Sequence, residues 1–288
     1  MSREDDGGLE LLQQAVAGYS RVFVILSPPR CGSTACARAL WEHDLVRYYS
    51  HEPFELTYFD GAGLDTVAGK LARPLDLCDA YKKRVQGEAL VIKEMPYQVG
   101  RHIGLLVPLA TAPVVFLIRD PRLSIQSRMN KKLEVGDDPV YPLIESGWEL
   151  LLQQIEHCRE RAVPHVIVDA ADFRRHPEAV FAQVFGHLDL SFSTDILAWR
   201  SGRHLEIDNL DGRHRHLYRR VLRSRGIEPP VEDVPSLRSF PEEGGWREHV
   251  MWCMGVYEAL RAAPERVRVH GEGFSQPITG TGDWPARA

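Results

Sequence analysis

Short apolar runs recur along the chain, and each is followed by a turn and a segment with helical spacing. They predict strands at 22–26, 45–50, 89–93, 114–118 and 166–168. The first and fourth runs are almost wholly apolar and rich in β-branched residues, which is typical of parallel strands covered on both faces. This alternation predicts an α/β protein with three layers, α/β/α, around a central, mostly parallel sheet of the P-loop-like type.

The helical segments divide the 288 residues into four parts of one domain. We expect an N-terminal helix in 1–20, a nucleotide-binding α/β core in 21–190, a helical or irregular lid in 191–245, and a C-terminal helix with a tail in 246–288. The lid is expected because that segment is proline-rich and irregular. Within these parts the periodicity predicts helices at 143–162, 177–188, 213–225 and 246–262.

The turn after the first strand has residues that suit an anion. Gly32 allows close approach of the backbone, and Ser33 and Thr34 begin a helix whose first N–H groups lack intrahelical partners. An oxyanion is therefore expected there. Nucleoside triphosphatases have a lysine in this turn, whereas the cation here is Arg30. A P-loop kinase and a non-catalytic nucleotide-binding module remain the alternatives.

A second basic motif follows the apolar run at 114–118. Arg119 ends that run, Pro121 suits a first helical turn, and Ser127 comes about two turns later. That spacing turns the serine hydroxyl back towards Arg119, whose guanidinium matches the geometry of phosphate. The alternative is an ordinary surface pair of Arg119 with Asp120.

Both motifs together resemble those of the sulfotransferase family. Residues 30–34, Arg-Cys-Gly-Ser-Thr, resemble its 5′-phosphosulfate loop, with Cys31 in place of the more usual serine, and Arg119 with Ser127 resembles its 3′-phosphate site. The resemblance implies 3′-phosphoadenosine 5′-phosphosulfate (PAPS) as the sulfuryl donor and no metal. The family's Arg-Lys-Gly near the C-terminus is absent, and Arg238 is the nearest substitute. The cofactor-binding residues implied are Arg30, Cys31, Gly32, Ser33, Thr34, Arg119, Ser127 and Arg238.

The resemblance also implies a base that takes the proton of the acceptor hydroxyl. Some bacterial sulfotransferases have a Glu-Pro after the second strand, which gives this role to Glu52, with His51 as the alternative. Lys93 would neutralise charge on the transferred group. Many relatives have a histidine base two residues after that lysine, where this chain has Met95, and Glu94 is a further candidate. The catalytic candidates are therefore Glu52, His51, Lys93 and Arg30.

The segment expected to form the lid has basic residues with two interpretations. Three histidines could suggest a metal site: His204, His214 and His216. The absence of matching cysteine or carboxylate spacing argues against it. Four arginines are candidates to meet an anionic acceptor or the 3′-phosphate: Arg200, Arg203, Arg213 and Arg219.

Composition narrows the partners and the compartment. A formal net charge of −5 argues against general binding of nucleic acid or of a membrane surface. Five cysteines without a Cys-x-x-Cys pair, and a polar N-terminus, predict a cytoplasmic protein. The expected partner is a small-molecule hydroxyl acceptor, such as an alcohol or phenol of bacterial secondary metabolism. Four aromatic residues would suit it: Tyr58, Phe59, Tyr97 and Tyr141. The sequence leaves open the choice between a monomer and a homodimer.

Overall fold

The computed structural model describes residues 3–81, 84–202, 205, 207, 215–231 and 233–269. Within these residues, six strands form one sheet in the order β3-β2-β4-β1-β5-β6. The strands are β1 Val22–Leu26, β2 Val46–His51, β3 Leu75–Asp76, β4 Ala89–Glu94, β5 Val114–Ile118 and β6 His165–Asp169. The edge strand β3 is antiparallel, and the other five are parallel. The predicted, mostly parallel sheet is confirmed.

Each central strand divides its side chains between two hydrophobic cores. In β1, Val22, Val24 and Leu26 face one core, while Phe23 and Ile25 face the other. Successive side chains of a strand point to opposite faces of the sheet, and here both faces are buried. The predicted three-layer α/β/α architecture is therefore confirmed.

Helices form the two outer layers, one on each face of the sheet. Helices α2 and α11 pack on one face of the sheet, and α8, α9 and α13 pack on the other. None of the helices within the described ranges is both long and apolar enough to span a membrane. In chain order the helices are α1 Arg3–Val16, α2 Ser33–Trp41, α3 Glu55–Asp60, α4 Leu64–Ala72, α5 Leu77–Tyr81, α6 Pro96–Val99, α7 Ile103–Leu106, α8 Pro121–Glu134, α9 Trp148–Glu160, α10 Ala170–Arg175, α11 Pro177–His187, α12 Arg215–Arg223 and α13 Trp246–Ala262.

The continuous helix predicted at 143–162 is wrong in its first turn. Leu143–Ser146 forms a 3-10 turn, and α9 begins at Trp148. Gly147 separates them with a φ of 80°, and a Cβ atom there would lie 3.2 Å from the Cα atom of Pro28. Only glycine adopts this conformation easily. The break therefore comes from close contact with the turn after β1.

The carboxyl ends of β1, β2, β4 and β5 meet at one edge of the sheet. Strand β1 lies between β4 and β5, so the chain builds one half of the sheet before it crosses to the other. Open α/β sheets bind ligands outside such a reversal of strand order. The catalytic candidates and most of the cofactor-binding candidates lie at the ends of these four strands or after them, whereas Arg238 does not.

Candidate active site

A cavity of about 660 Å³ opens at this edge. Its walls come from the segments that follow β1, β2, β4 and β5, from the C-terminal part of α8, and from α12 with the chain that follows it to Asp233. The segment after β2 enters this wall as α3, which contributes Glu55 and Phe59.

The turn after β1 contributes backbone N–H groups to the cavity. Arg30 and Gly32 have φ angles of 65° and 87°, and Gly32 precedes α2 without a side-chain cap. A Cβ atom on Gly32 would lie 3.0 Å from the ring of Phe173. Ser33 and Thr34, at the open N-terminus of α2, line the cavity. This geometry suits an oxyanion, and the binding of one there stays a prediction.

Cys31 faces away from this opening. The thiol is buried against the carbonyl of Pro29, with 3.8 Å between sulfur and oxygen. Burial raises the pKa of Cys31 to about 12. The residue is therefore a protonated thiol at neutral pH, and a role in anion binding would come from its backbone.

The two predicted anion motifs touch each other. Arg119 donates to the carbonyl of Arg30 at 2.8 Å, and Arg30 donates from Nε to the hydroxyl of Ser127 at 3.3 Å. The carboxylate of Asp120 pairs with Arg122 at 2.6 Å and accepts from its backbone N–H. Arg119 is therefore directed at the turn after β1, and Asp120 serves as the N-cap of α8.

Two further arginines line the same part of the cavity and were not identified from the sequence. Arg174, near the end of α10, donates to the carbonyl of Glu228 at 2.9 Å. Arg220, on α12, pairs with the Glu228 carboxylate at 2.8 Å. Burial, followed by repulsion from Arg119, lowers the pKa of Arg174 to about 10. We call Arg30, Arg119, Arg174 and Ser127 the basic end of the cavity.

The guanidiniums of the basic end lack carboxylate partners among the described residues. Arg30 donates to the Ser127 hydroxyl and to the carbonyl of Leu217 at 3.0 Å, and Arg119 and Arg174 each donate to a backbone carbonyl. Each side chain is half-buried. These three positive charges are partly removed from water, and their neutral partners do not cancel the repulsion among them. An anion bound among them would therefore stabilise this end of the cavity.

The opposite part of the cavity is built around Glu52. This residue follows β2 with a φ of 48° and is fully buried. Its Oε1 atom accepts from Nζ of Lys93 and from the hydroxyl of Tyr218 at 3.2 Å, and its Oε2 atom accepts from the amide of Gln98 at 2.9 Å. We call Glu52, Lys93, Gln98 and Tyr218 the carboxylate end.

The carboxylate end holds Glu52 in its ionised form. Burial alone would raise the pKa of Glu52, but the charges of Lys93 and His51, together with hydrogen bonds from Lys93 and Gln98, outweigh burial and lower it to about 2. The carboxylate is therefore an acceptor of hydrogen bonds throughout the physiological range.

The two alternative bases lie outside the lining of the cavity. The Nδ1 atom of His51 shares a hydrogen bond with the hydroxyl of Tyr49 at 2.5 Å. Its Nε2 atom lies 3.3 Å from Oε1 of Glu52. Glu94 accepts from the backbone N–H groups of Phe54, at 2.6 Å, and Met95, at 2.9 Å. Burial, followed by the charge of Glu52, raises the pKa of Glu94. Glu94 thus ties the ends of β2 and β4 together.

Aromatic and apolar side chains form the wall beside the carboxylate end. Phe59 and Tyr97 line the cavity, and Tyr58 packs edge-on between them at 4.9 Å from each ring. Arg128 lies over Tyr141, 4.3 Å from the ring centre, and pairs with Glu145. Because Glu145 neutralises Arg128, this wall presents mostly apolar surface to a ligand.

The remaining predicted residues lie elsewhere. Arg238 is exposed on the 3-10 turn Leu237–Ser239 and is absent from the residues that line the cavity. Arg203, Arg213, His204 and His214 lie outside the described residues, as does the side chain of His216. In the described part of the chain, no three His, Cys, Asp or Glu side chains are grouped so as to hold a metal ion.

Tyr218, Gln98 and Arg174 were missed because no local pattern identifies them. Tyr218 is a single aromatic residue in a basic helix, 166 residues from Glu52. The sequence predicts a strand at 166–168 and a helix at 177–188, but nothing between them singles out Arg174. A lone aromatic residue in an otherwise charged helix is the one signal that could have found Tyr218.

Comparison with solved structures gives weak overall likenesses. The sulfotransferase domain from the curacin biosynthetic pathway is 18% identical, covers 80% of this chain and 95% of its own, and has a TM-score of 0.45. The sulfotransferase domain from the olefin synthase of Synechococcus PCC 7002 is 17% identical, with coverages of 82% and 94% and a TM-score of 0.49. Mouse sulfotransferase SULT7A1 complexed with PAP is 11% identical, with coverages of 65% and 66% and a TM-score of 0.36. No curated protein matches.

A family model gives the assignment that these weak structural likenesses cannot. The model described as "Sulfotransferase domain" matches residues 23–241, about three quarters of the chain. The match begins in β1 and extends past α12, so it includes the basic end, the carboxylate end and α12. By that match the chain belongs to the sulfotransferase domain family.

Proposed function

We propose that this protein transfers the sulfuryl group of PAPS to the hydroxyl of a partly apolar small molecule. The observation that supports it most is the charge arrangement of one cavity. Three guanidiniums with neutral partners lie beside an open helix N-terminus, and an ionised, buried carboxylate lies at the opposite end. A polyanionic donor and a hydroxyl that loses a proton need these two environments.

The basic end would bind the donor. The N–H groups at the start of α2 and the guanidinium of Arg30 suit the 5′-phosphosulfate, and Arg119 with Ser127 suits the 3′-phosphate. Arg174 supplies a further cation that the family resemblance did not single out. Binding would replace the contacts of Arg30 with Leu217 and Ser127, whose oxygens are neutral, by hydrogen bonds to an oxyanion, in which both partners are charged.

The carboxylate end would activate the acceptor. The acceptor oxygen forms a bond to sulfur, the bond between sulfur and the bridging phosphate oxygen breaks, and adenosine 3′,5′-bisphosphate leaves with that electron pair. The hydroxyl proton passes to Glu52. Lys93, whose ammonium group faces Glu52 inside the cavity, would neutralise charge that builds on the leaving oxygen.

The low pKa of Glu52 is compatible with this role. A donor with several negative charges in the same cavity raises the pKa of a neighbouring carboxylate and attracts Lys93 away from it. Group transfer of this kind has a loosely bonded transition state, in which positioning and neutralisation provide most of the rate. The base is therefore needed late in the transfer, when the acceptor oxygen has become acidic.

The acceptor wall indicates an alcohol or a phenol with an apolar body. Phe59, Met95 and Tyr97 line the same cavity as Glu52. Such a wall buries apolar surface and gains about 25 cal/mol for each Å² removed from water. Because this wall suits an apolar alcohol or phenol, we also propose a role in the biosynthesis of small molecules.

The test combines nucleotide binding with transfer of labelled sulfate. Adenosine 3′,5′-bisphosphate in EDTA should stabilise the protein in a thermal-shift assay, and ATP with magnesium should not. With ³⁵S-labelled PAPS and a panel of alcohols and phenols that includes 2-naphthol, Glu52→Gln should lower turnover about 10²- to 10⁴-fold and leave nucleotide binding unchanged.

Glu134→Gln is the matched control, because the Glu134 side chain lines the cavity but is 57% exposed and pairs with Lys131. Its turnover should stay within about twofold of the wild type, since an exposed ion pair contributes little. Stabilisation by ATP with magnesium alone would contradict the proposal and favour a kinase. Full turnover in Glu52→Gln would remove Glu52 from the mechanism.

A further inference from the structure

The helix α12 places one tyrosine against the catalytic carboxylate. The Tyr218 hydroxyl donates to Oε1 of Glu52 at 3.2 Å, and the Tyr218 ring meets the ring of His51 edge-on, with 4.6 Å between centres. Tyr218 is buried and lines the cavity. The rest of the described helix is dominated by arginine and aliphatic residues, so this contact is specific to one position.

Neighbouring residues of α12 contact the other parts of the site. The carbonyl of Leu217 accepts from Arg30 at 3.0 Å, one residue before Tyr218. At the far end of the helix, Arg38 of α2 donates to the carbonyl of Val221 at 2.6 Å. Helix α2, which begins at the turn after β1, is therefore hydrogen-bonded to α12, which bears Tyr218. Helix α12 thus contacts both Glu52 and the basic end.

We propose that Tyr218 is a positioning residue of sulfuryl transfer. It holds the Glu52 carboxylate in the orientation that accepts the acceptor proton, and it does so from the element that covers the donor. This inference rests on the proposed function, because it assigns Glu52 as the base. It adds a residue that neither the sequence nor the family resemblance singled out.

The protonation of Tyr218 supports this role. Burial, followed by the charge of Glu52, raises the pKa of Tyr218 far above its ordinary value of 10. The hydroxyl is therefore protonated at neutral pH and can donate to Glu52. Donation to a carboxylate favours the ionised form, so loss of this bond raises the pKa of Glu52.

Several other titratable groups face Glu52 from the elements packed around it. They come from β2, α3, β4 and α6, and their charges act on Glu52 or on Tyr218. All of them are retained when only the Tyr218 hydroxyl is removed: Tyr49, His51, Glu55, Lys93, Glu94 and Tyr97. A change in the pH profile of that variant therefore reports the lost hydroxyl.

The experiment compares Tyr218→Phe with Tyr19→Phe. The phenylalanine keeps the ring contact with His51 and removes one hydrogen bond. Tyr19 donates to the carbonyl of Leu71 at 2.7 Å outside the cavity, so its variant removes a hydroxyl of the same kind without touching Glu52. Three readouts are needed: the Kd of adenosine 3′,5′-bisphosphate, the release of that nucleotide from PAPS with 2-naphthol or with water as acceptor, and the pH dependence of kcat/KM.

In Tyr218→Phe we expect kcat/KM to fall about tenfold, a typical value for one hydrogen bond to a charged group. The acid limb of the pH profile should move to higher pH, and the Kd should stay within about twofold. Tyr19→Phe should leave all three unchanged. A wild-type pH profile and turnover in Tyr218→Phe would overturn the inference and leave the proposed function intact. A wild-type protein that neither binds the nucleotide nor releases it from PAPS would overturn the proposed function itself.

Discussion

At the basic end of the cavity, three guanidiniums donate to neutral oxygens, whereas at the carboxylate end Glu52 meets the ammonium group of Lys93 and two further donors. Both ends lie on the same sheet edge and both have non-glycine residues with positive φ, Arg30 at 65° and Glu52 at 48°. Such conformations cost free energy and cluster at functional sites. The two ends differ in whether their charges are neutralised before a ligand arrives.

That difference supports the part of the reaction that we propose for each end. Repulsion among like charges at the basic end would be relieved when an anion binds, so under the proposed function this end contributes affinity for the donor. The carboxylate end is complete in the absence of a ligand, and its geometry is held by buried contacts. It is suited to orient a proton acceptor before the substrates meet. Substitutions at the two ends should therefore affect stability and binding in different ways.

The largest effect is expected for Lys93→Met, which removes the cation from the carboxylate end. Glu52 would stay buried without its main partner, and breaking a buried ion pair in this way costs about 3–5 kcal/mol of unfolding free energy. Urea unfolding at pH 7 measures it. Lys131→Met, at a partly exposed pair with Glu134, should cost less than about 1 kcal/mol.

The pH dependence of stability gives the sign of the Lys93 effect. In the wild type the pKa of Glu52 is lowered from about 4.5 to about 2, so its contribution is present above about pH 4.5 and is lost as the pH falls towards 2. In Lys93→Met the effect of burial dominates and the pKa of Glu52 is raised. The ionised Glu52 then destabilises the folded protein instead of stabilising it. The deficit of the variant should therefore be smaller at pH 4 than at pH 7, and an equal deficit at both would contradict the assigned charge pair.

A smaller effect, on binding rather than stability, is expected for Arg119→Ala. Hydrogen bonds to a charged group contribute about 1.5–3 kcal/mol, so the Kd of adenosine 3′,5′-bisphosphate should rise about 10- to 100-fold by calorimetry. The unfolding free energy of the ligand-free protein should change by less than about 1 kcal/mol, because the variant loses one hydrogen bond but also loses a repelling charge. A large loss of stability without a change in Kd would make Arg119 structural.

Arg238→Ala is the matched control for that measurement. Arg238 is the contact implied by resemblance in place of the absent Arg-Lys-Gly, yet it is exposed and outside the cavity lining. Its variant should bind the nucleotide like the wild type. A higher Kd in this variant would show that Arg238 contributes to binding of the nucleotide.

The smallest effect is expected for Cys31→Ser. The thiol is protonated, with its pKa raised to about 12 by burial, and it faces the carbonyl of Pro29 rather than the cavity. Turnover with PAPS should stay within about twofold of the wild type, because the backbone N–H is retained. Complete loss of activity would indicate a cysteine nucleophile and would break the comparison at the basic end.

The strands that build the site could be predicted from the sequence. The runs at 22–26 and 114–118 match β1 and β5 residue for residue, because strands buried on both faces are continuously apolar and polar residues, Ser27 and Arg119, follow these two runs. The two-residue edge strand β3 has no such pattern. The interruption at Gly147 was missed because helical spacing continues through it, and only the packing against Pro28 shows the break.

Some residues of the candidate site could likewise be predicted from local sequence, and others could not. Residues 30–34, Arg119 and Ser127 follow strands in motifs with a physical reason for their spacing, so they could be identified locally. Gln98, Arg174 and Tyr218 reach the site from other elements through contacts between distant parts of the chain. Such contacts leave no periodic signal in a single sequence. The motifs therefore identify most of the basic end, and the fold adds Arg174 there and Gln98 and Tyr218 at the carboxylate end.

A crystal structure of the protein with adenosine 3′,5′-bisphosphate tests the central claim most directly. The account predicts one nucleotide whose 5′-phosphate lies on the N–H groups of residues 30–34 and whose 3′-phosphate contacts Arg119 and Ser127, with the open side of the 5′-phosphate directed at Glu52. A nucleotide bound outside this cavity, or one whose 5′-phosphate points away from Glu52, would contradict it.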